Sequence, residues 1–550
     1  MSFEVKDHDG LGRIGVFSVN NKSITTPNIA VVVNPNELII PVDEMVSDFG
    51  VDLIITNAYI IRSSKVGKEI EKVGLHKFLK FPGIIYTDSG TYQMFSKGGV
   101  EISNEETLSY QAKIGSDIHT PLDLFTTPGD DYETAKSKLA ETTKRINAIK
   151  SVNFSAPIQG GVFMDLRKEA CNAVSKVPAS VYPIGGIVPL MINYDFKRLI
   201  EVVIACKKEL PFNVPVHAFG AGHPLIFALL AYAGVDLFDS ASYALYAREG
   251  KYITETGTKV VKELQTLPCD CPVCSKHKPS ELTEGLLARH NLHALMREVR
   301  LIRTAIAEGR LFELVYSRAM SHPSVFHAFK KLLESNGFIS ESDTVRKSSA
   351  LFYSGELCAS RPEIFYANSR LAALGFKKPP KPLKLIYPFG QSMGWDVTYS
   401  AKKYSDIDSL RLLADYQFGV NAGSALLLGG ERLVYSSTGR LHQAFSGNEL
   451  LFVLRASDGY FALHKAGAKR LKKFLKKVFV PDEFREFYIK GGNVFSKHLL
   501  KADSDIKPKE DVGVFCGKEL IAVGEAVLAG KAMTHFKKGL AVEVREGIEN

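Results

Sequence analysis

The first part of the chain alternates between short apolar runs rich in β-branched residues and longer stretches in which apolar residues recur with helical spacing. Stretches such as Tyr132–Lys150, Tyr194–Leu210 and Leu225–Ala233 predict helices. The apolar runs predict eight strands, at Ile29–Val33, Asp52–Thr56, Gly83–Thr87, Asp117–Leu122, Ala156–Ile158, Val181–Ile184, Val214–Ala218 and Val235–Phe238. Eight strand–helix units favour an α/β fold of the (β/α)8 barrel type over an open doubly wound sheet.

A polar residue or a glycine follows every one of these apolar runs. In a (β/α)8 barrel such positions form the C-terminal mouth, where the active site lies. Asp and Asn also cap helices and Gly also turns the chain, so each position taken alone has a simpler explanation. The whole series favours an active site, and it consists of Asn34, Asn57, Asp88, Asp123, Gln159, Gly185 with Gly186, Gly220 and Asp239.

Two of these aspartates suit chemistry at a sugar carbon. Asp88 lies in the segment Tyr86–Gln93, and Asp239 directly follows Phe238. One carboxylate can attack an anomeric carbon while the other carries the proton of the leaving or incoming base. We therefore predict that Asp88 and Asp239 are catalytic, and that Ser89 next to Asp88 binds the substrate.

The remaining mouth positions suit recognition of a flat heterocycle. The carboxylate of Asp123 can accept from a ring N–H and an amino group side by side, and the amide of Gln159 can serve an exocyclic oxygen. Gly185 and Gly186 allow backbone groups to approach the edge of such a ring closely. No glycine-rich phosphate-binding motif follows a strand, so nucleotide hydrolysis is unsupported.

A compact group of metal-ligand residues follows the predicted barrel strands. Cys269, Cys271 and Cys274 fall within six residues, and His290 lies on the next predicted helix. Three thiolates and one imidazole can complete a tetrahedron around a zinc ion. Three unrelated surface thiols are the alternative, but the chain has only seven cysteines, so we predict a zinc site.

Composition describes an ordinary globular chain. The 550 residues include 45% hydrophobic and 23% charged residues, and the formal net charge is +9. No run of eighteen apolar residues and no signal-peptide pattern is present, and the other cysteines are scattered, so we expect a cytoplasmic protein without a membrane partner. Lysines gather late, at 469–477 and 537–538, where a solvated helix face and a phosphate-binding surface are both open interpretations.

Several long motifs together resemble those of the archaeal tRNA-guanine transglycosylases. In the barrel they are Thr87–Gln93, Pro157–Gly160, Pro183–Pro189, Asp236–Ala247 and Cys269–Cys274 followed by His290-Asn291. The resemblance continues through Lys347–Phe352, Tyr387–Phe389, Ala414–Gly419 and Gly467–Leu471, and then through Val494–Leu500, Gly524–Ala526 and Gly539–Val542, which are similar to a PUA module. It covers nearly the whole chain.

The resemblance implies a base exchange. Enzymes of this family remove guanine at position fifteen in the D-arm of archaeal tRNA and insert 7-cyano-7-deazaguanine, a precursor of archaeosine, through a covalent enzyme–RNA intermediate. Asp88 and Asp239 match the two catalytic aspartates, and we favour Asp239 as nucleophile and Asp88 as acid/base. Asp123 and Gly186 match base-contacting positions. His119 stands where relatives often have a small residue, and we interpret it as part of the pocket wall.

The resemblance also implies a domain order, a cofactor and partners. We expect a catalytic barrel with a zinc-binding insertion at 1–335, small middle α+β domains at 336–400 and 401–475, and a β-rich PUA RNA-binding domain at 476–550. Cys269, Cys271, Cys274 and His290 match the ligands of one structural Zn2+ per chain, near a homodimer interface. The partners implied are tRNA and a free base, guanine or 7-cyano-7-deazaguanine.

Two other functions are consistent with parts of this pattern. An archaeosine synthase-like paralogue would share the PUA architecture, but it should lack the paired aspartates and the intact barrel motifs. A non-catalytic tRNA-binding scaffold subunit would keep the zinc cluster and lose the catalytic carboxylates. Asp88 and Asp239 argue against both.

Overall fold

A computed structural model describes residues 2–91, 102–150, 153–347, 355–384, 386–392 and 407–549. The chain divides into two compact units. The first comprises Met1–Val5, Gly12–Ile306 and Leu314–Leu332, and the second comprises Lys6–Leu11, Ala307–Glu313 and Leu333–Asn550. None of the helices in the described residues is long and apolar enough to span a membrane.

A curved parallel sheet forms the centre of the first unit. An N-terminal three-stranded sheet precedes it in the chain, in the order β1-β2-β3 (Ser2–Asp9, Gly12–Val19 and Lys22–Thr26). The parallel sheet has seven strands in the order β7-β6-β5-β4-β10-β9-β8. These strands are β4 (Asn28–Val32), β5 (Leu53–Asn57), β6 (Ile84–Asp88), β7 (Ile118–His119), β8 (Tyr182–Ile184), β9 (Val216–Ala218) and β10 (Leu237–Ser240).

The fifth predicted strand, Ala156–Ile158, closes the ring without forming a regular strand. Isolated parallel bridges join Phe154 to His119 on one side and Ile158 to Ile184 on the other, so the segment lies between β7 and β8. Pro157 lacks an N–H donor and interrupts the ladder at this point, which explains the irregular pairing. Eight chain segments therefore complete the barrel.

Aspartates also lie at the N-terminal ends of barrel strands, and there they are structural. Arg13 donates to both oxygens of Asp236 just before β10, at 2.8 and 2.6 Å. Asp117, just before β7, is paired with Lys22 and His76. Burial works against ionisation of Asp117, but the hydrogen bonds from His76 and Lys22 outweigh it and lower its pKa to about 2.

Helices surround the barrel and follow it in the chain. A β-hairpin, β11 (Lys251–Thr254) with β12 (Gly257–Val260), lies between the barrel and the cysteine cluster in sequence. In the described residues up to Leu333, the helices are Val42–Ser47, Ala58–Arg62, Gly67–Val73, Leu75–Leu79, Asn104–Lys113, Tyr132–Asn147, Met164–Val174, Val188–Ile192, Phe196–Glu209, Pro224–Tyr232, Ser242–Arg248, Val261–Glu263, Pro279–Glu281, Glu284–Glu308, Leu311–Ala319 and Pro323–Leu333.

The described residues of the second unit form two sheets. A four-stranded sheet is formed by Arg432–Tyr435, Leu441–Ser446, Glu449–Leu454 and Phe461–Leu463 in that order. A six-stranded sheet has the spatial order Val494–Phe495, Leu540–Gly547, Glu519–Ala526, Asp511–Cys516, Lys477–Phe479 and Lys501–Ala502. One buried apolar cluster takes side chains from Val345 through the four-stranded sheet to Phe515 and Ile548, so these parts share a core.

The described residues between 336 and 400 contain helices and no strand. The helices of this unit are Asn336–Ser342, Gly355–Ser360, Pro362–Ala373, Lys381–Leu383, Phe389–Ser392, Ile407–Phe418, Ala422–Leu426, Lys465–Arg470, Asp482–Phe484, Arg485–Ile489, Ser496–His498 and Gly530–Met533. The expected domain boundary at 400/401, most of the motif Lys347–Phe352 and the end of Tyr86–Gln93 lie outside the described residues.

Candidate active site

Asp239 lies inside β10, one residue further into the strand than the sequence pattern predicted. Its side chain is buried, and its Oδ1 accepts two hydrogen bonds. His217 Nε2 on β9 lies 2.8 Å from this oxygen, and the backbone N–H of Gly220 lies 2.6 Å from it. Neighbouring parallel strands place these groups at the same level of the barrel.

Asp88 is the last residue of β6 and keeps part of its surface open to solvent. The side-chain amide of Asn57, the last residue of β5, donates to its Oδ2 at 2.8 Å. Burial, followed by the negative charges of Asp123 and Asp239, raises the pKa of Asp88 from 3.8 to about 7. The three aspartates therefore lie close enough to influence one another, as the barrel pattern predicted.

Asp123 and Gln159 form a second pair at the mouth. Gln159 Nε2 donates to Asp123 Oδ2 at 2.6 Å, and Gln159 Oε1 accepts from the backbone N–H of Thr126 at 3.1 Å. Both side chains are buried. Burial raises the pKa of Asp123, and the hydrogen bond from Gln159 opposes that rise.

The two glycines of the motif Pro183–Pro189 make room for this pair. A Cβ on Gly185 would lie 2.3 Å from Gln159 Nε2, and a Cβ on Gly186 would lie 2.4 Å from the carbonyl oxygen of Thr126. Gly186 also has a φ of +70°, which other residues rarely adopt. The sequence requires glycine here because Gln159 and Thr126 pass so close to the backbone.

Ser89 and His119 lie in different surroundings. Ser89 is buried beside Asp88, with its hydroxyl 3.0 Å from that of Thr91. The ring of His119 instead bonds to the Ser116 carbonyl oxygen at 3.1 Å. His119 is in register with Thr87 of β6, whereas the neighbouring residue Tyr86 packs against His217 inside the barrel. Because side chains alternate along a strand, His119 points outwards and the pocket-wall interpretation is wrong.

Two buried residues of the site were not predicted from the sequence. His217 contacts Asp239, and Arg167 donates to the carbonyl oxygens of Ile158, Gly161 and Gly185, at 2.6 to 2.9 Å. The sequence feature that could have identified His217 is its place within a predicted strand, at a position that points into the barrel. Arg167 occupies the buried face of the helix Met164–Val174.

The four predicted metal ligands come together. The candidate donor atoms of Cys269, Cys271, Cys274 and His290 all lie within 4.8 Å of one another. His290 Nε2 lies 2.9 Å from the carbonyl oxygen of Ile253, so this nitrogen carries the proton and Nδ1 faces the thiols. Nδ1 lies 3.2 Å from the Cys274 sulfur. A fixed tautomer and three sulfurs fit a tetrahedral zinc site.

The surroundings of the cluster support a structural and not a catalytic metal site. Tyr252 stacks on the ring of His290 with centroids 3.6 Å apart, and its hydroxyl lies 3.2 Å from the Cys274 sulfur. A cavity of about 290 Å³ beside the cluster is lined by Cys269, Cys271 and His290, and none of the barrel aspartates lines it. Four protein ligands leave no open position for a substrate.

The carboxylates at the barrel mouth have different surroundings, which suit them to different roles. Asp239 accepts two hydrogen bonds on one oxygen, which orients its carboxylate. Asp88 has a pKa near 7, so it can give or take a proton at neutral pH. Asp123 lies in a third position, held by an amide, where it can accept from a polar ring edge.

Comparison with protein families agrees with this geometry. A family model described as queuine tRNA-ribosyltransferase matches residues 7–324. The patch-forming domain C2 of tRNA-guanine transglycosylase matches residues 408–477, and the PUA domain matches residues 476–548. The first match spans the barrel and the cysteine–histidine cluster.

Individual relatives match along their full length. A tRNA-guanine(15) transglycosylase of Pyrococcus abyssi is 41% identical over 578 residues, covering 100% of this chain and 98% of the relative. The protein of the same name from Thermococcus kodakarensis is 40% identical, covering 100% and 99%. That from Methanocaldococcus jannaschii is 34% identical and covers 100% of both chains. The chain is therefore a transferase of the tRNA-guanine transglycosylase family, with a (β/α)8 barrel and a C-terminal PUA domain.

Proposed function

We propose that this protein exchanges guanine at position 15 in the D-arm of tRNA for 7-cyano-7-deazaguanine, through a covalent ribosyl-enzyme intermediate. The observation that carries the proposal is the difference between two neighbouring carboxylates. Asp239 is oriented by two donors, whereas Asp88 has a pKa raised to about 7. The relatives named tRNA-guanine(15) transglycosylase support the choice of position 15 and of guanine as the base that is removed.

In the first half of the reaction, Asp239 acts as the nucleophile. Its free oxygen forms a bond to the ribose C1′ while the bond between C1′ and guanine breaks. Asp88, which is partly protonated at neutral pH, gives its proton to the departing guanine. The products of this half are free guanine and an ester between Asp239 and the ribose of the RNA.

In the second half, the incoming base reverses these steps. Asp88, now ionised, removes the ring proton of 7-cyano-7-deazaguanine, and the ring nitrogen bonds to C1′ as the ester to Asp239 breaks. One glycosidic bond replaces another, so no nucleoside triphosphate is consumed. A carboxylate with a pKa near the working pH suits both directions of proton transfer.

Asp123 and Gln159 read the base. The carboxylate of Asp123 accepts from the ring N–H and exocyclic amine that guanine and 7-cyano-7-deazaguanine share. The amide nitrogen of Gln159 has two N–H groups, of which one is used on Asp123. The second is available to the exocyclic oxygen of the base, and the backbone at Gly186 approaches the same edge.

The metal and the C-terminal part have supporting roles in this proposal. Cys269, Cys271, Cys274 and His290 hold one structural zinc ion per chain, which contributes folding energy and stabilises a homodimer. The PUA domain, matched at 476–548, positions the tRNA by contacts with its backbone. A base stacked in the tRNA core reaches the barrel only if it is extruded, so contacts away from the barrel are needed. We expect the enzyme to act in the cytoplasm, together with its tRNA substrate.

The experiment is incorporation of radiolabelled guanine into transcripts of one tRNA that carry guanine or adenine at position 15. We expect incorporation into the guanine transcript alone, competition by unlabelled 7-cyano-7-deazaguanine, and no incorporation by Asp239→Ala protein. Incorporation into both transcripts would refute the position. A protein that binds tRNA but incorporates no guanine would refute the exchange and point to a scaffold subunit.

A further inference from the structure

The imidazole of His217 is the closest side-chain partner of the proposed nucleophile in the described residues. His217 lies on β9 with no exposed surface, and its Nε2 is 2.8 Å from Asp239 Oδ1. The backbone N–H of Gly220 reaches the same oxygen at 2.6 Å. Within the part of the chain that the structure describes, both hydrogen bonds of the Asp239 side chain therefore go to Oδ1, and Oδ2 has none.

The surroundings of His217 fix which nitrogen carries the proton. Its Nδ1 is buried and has no hydrogen-bond partner among the described residues. The ring packs against both Phe219 and Tyr86, with centroid distances of 5.0 and 5.7 Å. A proton on Nδ1 would leave a buried N–H unpaired, which is costly. The neutral tautomer with its proton on Nε2 satisfies this geometry and donates to Asp239.

We propose that His217 is a positioning residue that holds Asp239 for attack on the ribose. By donating to Oδ1 it fixes the orientation of the carboxylate and leaves Oδ2 free to attack the ribose, and with one proton it cannot also serve as the acid. The ionisable groups around the Asp239–His217 pair are Asp88 and Tyr86 on β6. This inference rests on the proposed function, because it concerns the orientation of the nucleophile of that reaction.

A merely structural role for His217 makes a different prediction. A buried histidine that only fills the barrel core could be replaced by another side chain of suitable size with little effect on the chemical step. A positioning histidine acts through its Nε2 donor, so a substitution that keeps a donor at that place should restore the reaction. Glutamine offers an amide N–H at about the reach of Nε2, whereas leucine and asparagine do not.

The test compares His217→Leu, His217→Gln and the matched variant His119→Leu, whose histidine points out of the same barrel. Formation of the RNA–protein adduct is followed in a single turnover, with KM for guanine measured separately. We expect His217→Leu to slow adduct formation about 10- to 100-fold with KM nearly unchanged. His217→Gln should recover most of the rate, and His119→Leu should resemble the wild type.

Two results would overturn the proposal. One is adduct formation at the wild-type rate in His217→Leu, and the other is a loss in His217→Gln as large as in His217→Leu. Thermal unfolding and zinc content show whether each variant is folded. If His217→Leu does not fold, His217→Gln is compared with His217→Asn, and equal rates for these two would equally overturn it. Wild-type protein that forms no adduct would instead refute the proposed function.

Discussion

The amide nitrogen of Gln159 lies 2.6 Å from Asp123 Oδ2, and this contact determines how the base-reading carboxylate is presented. Gly185 has no side chain because a Cβ there would lie 2.3 Å from the same nitrogen. Thr126 holds the other end of the Gln159 amide. Three segments at the barrel mouth thus fix the direction of one carboxylate.

The first prediction concerns base selection. In Asp123→Asn, an amide replaces the carboxylate, so a donor can face the N–H groups of guanine. We expect kcat/KM for guanine to fall by an amount equivalent to about 2–4 kcal/mol. Gly185→Ala is the second variant, since it leaves Asp123 intact but displaces Gln159. It should lower kcat/KM for guanine by a smaller amount. Unchanged guanine kinetics in Asp123→Asn would remove this residue from base recognition, as would efficient adenine incorporation by the wild type.

The second prediction concerns the raised pKa of Asp88. The unfolded chain loses this proton near pH 3.8 and the folded chain near 7, so the folded state binds more protons between these values. The free energy of unfolding contributed by Asp88 therefore falls as pH rises from about 4 to about 7. Asp88→Asn removes this penalty, so its stability gain over wild type should be larger at pH 8 than at pH 5. Denaturant unfolding at the two pH values measures it.

The exposed residue Asp43 provides the control for this measurement. Asp43→Asn should show a far smaller difference between the two pH values. A stability difference for Asp88→Asn that stays constant with pH would contradict the raised pKa, and with it the assignment of Asp88 as the group that carries the proton.

The third prediction concerns the metal. Elemental analysis of purified protein should find one zinc per chain. Cys271→Ala and His290→Ala should lower both zinc content and melting temperature, because metal binding contributes to folding. Cys516→Ala, a buried thiol in the six-stranded sheet, is the matched control and should keep its zinc. Well-folded wild-type protein without zinc would contradict the assignment.

The fourth prediction distinguishes exposed lysines from an ion-paired lysine in the segment 469–477. Lys472 and Lys473 are exposed, whereas Lys476 is paired with Glu510 at 2.8 Å. The double substitution of Lys472 and Lys473 by Ala should weaken tRNA binding and reduce the slope of log K against log salt by about 0.7–0.9 for each RNA phosphate that these lysines neutralise. Lys476→Ala should instead lower the melting temperature. An unchanged salt slope in the double variant would exclude these lysines from the RNA surface.

Local pattern predicted most of the barrel because β-branched runs and polar strand ends are both visible in the sequence. It placed Asp88, Asp123 and Asp239 at one mouth, and the structure brings them together. The fifth strand was less regular than expected because Pro157 removes a donor from the ladder. The zinc ligands were visible because their spacing in the chain is short.

What the sequence did not reveal depends on contacts between distant residues. His217 was hidden because a polar side chain inside an apolar run gives no sign of its partner, which lies 22 residues later. His119 was misplaced because the direction of its side chain depends on the exact register of β7 with β6. Arg167 lies on a helix, and its three carbonyl partners come from two different loops.

The central claim is that the RNA ribose becomes bonded to Asp239. The protein should be incubated with tRNA in the absence of added base, quenched with acid and digested, and the ribosylated peptide identified by mass spectrometry. We expect an ester on the peptide that contains Asp239, formed by wild type and absent in Asp239→Asn, with exchange reduced at least ~10³-fold in that variant. An ester on Asp88, or base exchange at the wild-type rate by Asp239→Asn, would contradict it.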